Sequence, residues 1–257
     1  MTPLPSEFIR IPLAHRGFHA IADGIPENSL PAFQAAIAAG YGIELDVQAS
    51  SDGVPMVFHD DDLGRLTDAY GPTGDRTAAD LGALNLLGTE AKVPTLTDVL
   101  ATVGDQTPIL IEIKDQGGDP KTGTLALAEQ VASEVAAHGG PVAIMSFNPF
   151  AVAHGAMRHP DLVWGITTGH GTPLWPDHLE LDRAVIATGI NPKDWGASFI
   201  SHGLSHANAH WLPSLRAKGT PILSWTIRTP QQEAQARSFA ANITFEGYRP
   251  AIPAKAA

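Results

Sequence analysis

Residues 11–48 read "IPLAHRGFHAIADGIPENSLPAFQAAIAAGYGIELDVQ": strand, loop, helix, strand. Ile11–Ala14 is a short apolar run that ends abruptly in His15-Arg16-Gly17. Residues 30–39 carry helix signals, with Asn28 read as the N-cap, Pro31 in the first turn where its missing N–H costs nothing, and Gly40 at the stop. The loop between them decides the architecture. A doubly wound open sheet places a glycine-rich phosphate loop after its first strand, and "HRGFHAI" is not one.

Outward from this unit the same alternation continues. Strands are expected at 11–15, 42–48, 108–114, 142–147, 162–168, 197–201, 221–227 and 242–246. Helices are expected at about 30–39, 95–103, 122–137, 149–158, 177–188, 208–218 and 230–240. About eight strand–helix repeats in 257 residues point to an α/β fold, the (β/α)8 TIM barrel. "DGVPMVFHD" (52–60) follows the second strand too closely for a crossover helix and reads as an antiparallel arm. The expectation is one domain over 1–257, with 60–107 a short insertion, or lid, after the second strand.

Composition narrows the function. A net charge of −11 and a pI near 5.3 argue against a sequence-independent grip on nucleic acid or anionic lipid, so an anionic substrate needs locally placed cations. With no cysteine, disulfides and thiolate metal sites are excluded. "MTPLPSEFIR" lacks the basic and apolar segments of a signal peptide, and no run reaches the roughly 18 apolar residues of a membrane span. A cytoplasmic protein without stable membrane insertion or a nucleic-acid partner is expected.

In a barrel, functional side chains collect at the C-terminal strand ends. Strand alternation puts Glu44 and Asp46 on one face of the second strand, about 7 Å apart, with Ile43, Leu45 and Val47 opposite. In the next barrel strand Glu112 and Lys114 oppose Ile109, Ile111 and Ile113. Three carboxylates in one mouth resist ionisation unless a cation joins them, and oxygen-only ligands suit one divalent ion, Mg²⁺ or Ca²⁺. The competing reading pairs the same acids with Arg16 and Lys114. His15 and His59 end apolar runs beside this cluster and can divide acid and base work, while Arg16 and Lys114 supply anion binding. Together these groups suit chemistry at a phosphodiester.

The segments "AHRG", "PENSLPAF", "IELDVQASSDGVPMVFHD", "VPTLTDVL" and "ILIEIK" resemble, in order, the signatures of the glycerophosphodiester phosphodiesterases: His-Arg-Gly, Glu-Asn-Thr/Ser, Glu-x-Asp, Val-x-His-Asp and Glu-x-Lys. The resemblance is specific over about 11–115 and looser beyond, through "MSFNP" (145–149) and "SWTI" (224–227). Near the end, where the family usually carries Thr-Asp-x-Pro, this chain has "ITFEGYRP" (243–250). The resemblance implies a TIM barrel that hydrolyses small-molecule glycerophosphodiesters to sn-glycerol 3-phosphate and an alcohol. By matching position, Glu44, Asp46 and Glu112 bind the divalent ion, His15 and His59 are the acid/base pair, and Arg16 and Lys114 hold the phosphate. The alternatives are a phospholipase of the same superfamily, acting on phosphoinositides or sphingomyelin, and a non-catalytic barrel that binds a phosphoester.

Several residues have a plainer reading beside the functional one. Glu27, next to the expected cap Asn28, is read as a brace for Arg16. Trp225 at a strand end is either core or an aromatic wall for the glycerol, with Phe147 and Phe18 weaker candidates for that wall. His202, His206 and His210 read as a loop and helix start rather than a metal site, with His202 left as a mouth residue. Asp60, Asp61 and Asp62 read as turn and cap residues outside the site.

Overall fold

Eight parallel strands close on themselves in the computed structural model, which describes residues 1–116, 123–169 and 191–253. The strands are β1 (Leu13–Ala14), β2 (Gly42–Ala49), β4 (Ile109–Ile113), β5 (Val142–Ser146), β6 (Trp164–Thr168), β7 (Phe199–Gly203), β8 (Ile222–Ile227) and β9 (Asn242–Phe245). Closure comes from β1, where Leu13 pairs with Gly42 of β2 on one side and Thr244 of β9 on the other. β3 (Pro55–Val57) runs antiparallel to β2, with Val47 opposite Val57, and is the expected arm. The fold is the (β/α)8 barrel.

Helices α2 (Leu30–Ala39), α4 (Leu96–Val103), α5 (Gly123–Ala136), α6 (Pro149–Arg158), α7 (Leu212–Ala217) and α8 (Pro230–Arg237) lie in the connections. The helix expected at 177–188 lies outside the described residues. The cap of α2 corrects the reading of Asn28: Ser29 Oγ accepts from the Ala32 N–H at 3.3 Å, and Asn28 is turned elsewhere.

Alternation sorts the strands into two cores. The outward residues Ile43, Leu45, Ile109, Ile111, Ile144, Ile166, Ile200 and Ile243 pack under the helices. Leu13, Leu110, Ala143, Met145, Phe199 and Leu223 fill the barrel interior together with Phe8. Phe8 comes from α1 (Ser6–Arg10), a short N-terminal helix absent from the expected elements. It plugs the end of the barrel opposite the strand C-termini, and Asn242 Nδ2 anchors it by donating to the carbonyls of Phe8 (2.8 Å) and Ile11 (2.7 Å). Gly165 makes room in this interior: a Cβ there would lie 2.2 Å from the Phe199 ring.

Residues 58–93 leave the barrel between β3 and α4 and carry α3 (Ala78–Ala83). Their own apolar cluster, Phe58, Leu63, Leu66, Leu81, Leu86 and Val93 with Met56, holds them over one side of the mouth. No helix among the described residues is long and apolar enough to cross a membrane.

Candidate active site

The inward positions nearest the strand C-termini are polar where those below are apolar. Asp46 on β2 is in register with Glu112 on β4, and Glu44 sits two residues earlier on the same face of β2. All three are buried, and one oxygen from each lies within 4.8 Å of the others. Lys114 follows β4 and sets its ammonium among them, 2.8 Å from Asp46 Oδ1 and against Glu112 Oε1. Arg16 Nε approaches Asp46 Oδ2 at 3.4 Å, and the Arg16 backbone N–H donates to Glu44 Oε2 at 3.0 Å.

Three buried carboxylates thus face two cations, and the imbalance falls on Glu44. Burial, then the charges of Asp46 and Glu112, push its carboxyl well above the ordinary range. Burial would also raise Asp46, but Lys114, His59 and Arg16 together hold it well below. A divalent cation fits this donor set: all ligands are oxygen, they already converge, and the ion relieves the repulsion that penalises Glu44.

Arg16 is fixed from its other side. The chain turns back at Arg16 (φ 56°) and Gly17 (φ 80°), where a Cβ on Gly17 would lie 2.8 Å from that of Ala32. The turn brings Arg16 to Glu27, whose Oε1 accepts from Nη1 at 2.6 Å. Glu27 therefore takes its bracing position. Arg65 from the excursion donates to both Glu27 oxygens, at 3.0 and 2.8 Å. Burial opposes ionisation of Glu27, but the two guanidinium groups bring its pKa down to about 2.

The imidazoles of His15 and His59 are each held through Nδ1 by a carboxylate. His15 Nδ1 meets Glu246 Oε2 at 2.5 Å, and its Nε2 lies 4.0 Å from Glu44 Oε2. Burial, then Arg16, lowers the His15 pKa against the opposing pull of Glu246. His59 Nδ1 meets Asp60 Oδ1 at 2.6 Å. Both imidazoles lie near enough to Asp46 for their charge to lower it. A carboxylate accepts only, so each ring carries its proton on Nδ1 and leaves Nε2 for chemistry. On the opposite wall the Phe147 and Trp225 rings meet edge to face, centroids 5.6 Å apart.

One cluster therefore holds the converging acids, the two carboxylate-held imidazoles, and the paired Arg and Lys. A sequence profile of the glycerophosphoryl diester phosphodiesterase family matches residues 15–243. The chain belongs to this family. Family members are phosphoric diester hydrolases, and the relatives agree. The chain is 26% identical to glycerophosphodiester phosphodiesterase 1 of Homo sapiens, over 88% of this chain and 74% of that protein. A glycerophosphodiester phosphodiesterase structure from Thermotoga maritima superposes with a TM-score of 0.68 at 25% identity, over 92% of this chain and 94% of that one. A phosphodiesterase from Oleispira antarctica, solved with the product sn-glycerol-3-phosphate, has the same fold, with a TM-score of 0.71 at 21% identity over 92% and 93%.

The geometry changes four of the expectations. Asp60 belongs to the site, since it orients His59 and is itself held by Arg65 Nε at 2.5 Å and Nη2 at 2.9 Å. Only Asp62 acts as the expected cap, accepting from the Gly64 N–H. Asn28 contributes a site contact instead of a cap, donating from Nδ2 to Asp46 Oδ2 at 2.9 Å. His202 does not line the mouth: it is fully buried on the outer face of β7, against Trp211 and Phe239, with Nδ1 on the Thr168 hydroxyl. Phe18 likewise packs outside the barrel, on Tyr41 and Phe245.

Glu246 is the residue that sequence reasoning missed. It stands in the "ITFEGYRP" departure, one residue past β9, and alternation from Asn242 and Thr244 places it inward at a strand end. Burial opposes its ionisation, but His15, His19 and Arg228 hold it well below the ordinary carboxylate range.

Proposed function

We propose that this chain hydrolyses glycerophosphodiesters to sn-glycerol 3-phosphate and an alcohol. The observation that carries the reading is one mouth holding a buried Glu44–Asp46–Glu112 triad between two imidazoles, each anchored through Nδ1. Membership of the family supports the reaction, and the product bound by the Oleispira relative supports the product.

In this reading Arg16 and Lys114 neutralise and orient the phosphate. Arg16 offers a planar fork already aimed by Glu27, and Lys114 a point charge. One imidazole accepts through Nε2 the proton of the attacking oxygen, from water or from the neighbouring glycerol hydroxyl; in the second case the cyclic phosphate formed is opened by water in a further step, with the two rings in exchanged roles. The other, entering protonated, gives its Nε2 proton to the departing alkoxide. Glu246 and Asp60 stabilise the imidazolium each ring becomes in turn. One Mg²⁺ or Ca²⁺ ion held by Glu44, Asp46 and Glu112 would supply Lewis-acid charge beside the phosphoryl oxygens. Trp225 and Phe147 give the glycerol carbons an aromatic wall. Residues 60–93 wall the His59 side of the mouth, since His59 and Asp60 begin that excursion and Arg65 returns from it to Glu27.

The test is a substrate panel: glycerophosphocholine, glycerophosphoethanolamine and glycerophosphoglycerol, each with Mg²⁺ or Ca²⁺, assayed for glycerol 3-phosphate. Its release from at least one is expected. Phosphocholine as the product would overturn the reading in favour of a phospholipase C-type cleavage, and no product from any would favour a binding barrel.

A further inference from the structure

The mechanism leaves unused an imidazole that faces Glu246. His19 follows His15 by four residues, and the turn at Arg16 and Gly17 folds the chain so that both rings reach Glu246. The two oxygens of that carboxylate are divided. Oε1 accepts from Arg228 Nε at 2.7 Å, whereas Oε2 takes His15 Nδ1 at 2.5 Å and faces His19 Nε2 at 3.8 Å. His19 Nε2 is buried and has no hydrogen-bond partner among the described residues.

We propose that His19 is a positioning residue for the diesterase reaction, acting through Glu246 on His15. A bare nitrogen lone pair facing a carboxylate oxygen repels it, so the proton of His19 belongs on Nε2, where it points at Oε2. The gap exceeds a hydrogen bond, and a small torsion of either side chain closes it. With Arg228 on one oxygen and His19 sharing the other, the carboxylate plane cannot swing. His15 then keeps its proton on Nδ1 and presents a bare Nε2 toward the Glu44 side of the mouth. Groups that directly orient a metal-bound histidine are worth about 10-fold to 100-fold in activity; His19 acts one contact further out, so the lower end of that range is expected.

The proposal rests on the diesterase reading, so its test has two independent readouts. His19 also lines a groove of about 630 Å³ with Phe18, Ile25, Tyr248 and Arg249, so a longer side chain has room there. His19→Ala is expected to lower kcat about 10-fold with KM nearly unchanged, and His19→Gln, which keeps an N–H at the same reach, to recover most of it. In a Glu246→Gln background the further effect of His19→Ala should shrink to within about twofold. An equal loss in both backgrounds, or no recovery with glutamine, overturns the proposal. The second readout is the ring ¹⁵N spectrum of His15, which needs no turnover. Wild type should show the Nδ1–H form and His19→Ala a mixture of tautomers. If that change is seen in a protein that cleaves no glycerophosphodiester, the substrate reading fails and the positioning role stands. An unchanged His15 spectrum refutes the positioning role whatever the substrate.

Discussion

Glu27 offers the sharpest energetic prediction, because two guanidinium groups meet on one nearly enclosed carboxylate. Its side chain is 12% exposed, with Arg16 Nη1 at 2.6 Å and Arg65 Nη2 at 2.8 Å. These partners carry its pKa from 4.5 to about 2. At about 1.4 kcal/mol per pH unit that is roughly 3 kcal/mol. Arg65 is 47% exposed, so solvent screens its share and about 2 kcal/mol is expected at pH 7. The sign follows from linkage. A carboxyl whose folded pKa lies below its unfolded value stabilises the fold above the unfolded value, and the contribution fades as pH falls toward the folded one. Glu27→Gln should therefore lower the unfolding free energy by about 2 kcal/mol at pH 7. The deficit should shrink steadily below about pH 4.5, where wild-type Glu27 begins to lose the advantage. Urea denaturation of both proteins at pH 7, 5, 4 and 3 measures it. A deficit that is constant with pH would refute the assignment to charge. No deficit at pH 7 would mean the clamp is held by neighbouring packing instead.

Three further outcomes are expected. Gly165→Ala drives a methyl to 2.2 Å from the Phe199 ring and should cost about 1–3 kcal/mol, read as a lower urea midpoint; an unchanged midpoint would show that the barrel interior yields freely. His15→Ala and His59→Ala should each cost at least about 100-fold in turnover. With a p-nitrophenyl leaving group, which needs no protonation, the variant lacking the general acid should regain most of its rate and the other should not; equal recovery would sink the division of labour. Asp60→Asn removes the carboxylate from His59 Nδ1 at 2.6 Å and from Arg65, and should lower kcat at least about 10-fold; an unchanged kcat would show that Asp60 does not orient His59.

The barrel was legible because its signals are local. Alternation in 42–48 and 108–114 separates acids from isoleucines, and the pairing of Asp46 with Glu112 then brings the carboxylates together. His15, Arg16 and Lys114 were legible because strand ends define the mouth. What escaped depended on long-range partners. Asp60 looks like a turn residue until Arg65 and His59 close around it. Asn28 beside Ser29 offers two plausible caps, and only the positive φ of Asn28 (51°) shows which side chain is diverted to Asp46. Glu246 lies 231 positions from His15 in the chain, so no local pattern links them, although its inward place at the end of β9 was a usable sign. α1 was missed because five residues are too few for a periodic pattern; its role depends on burying Phe8 inside the barrel.

In the proposed function, the converging Glu44, Asp46 and Glu112 hold a divalent cation at the diesterase centre. Exhaustive dialysis against EDTA, followed by titration of Mg²⁺ or Ca²⁺ while glycerol 3-phosphate release is followed, tests it most directly. Activity should fall to background and return with one of the two ions in wild type, but not in Asp46→Asn at the same concentration. Full turnover in the chelated protein, or equal recovery by Asp46→Asn, would show that the triad does not hold a catalytic cation.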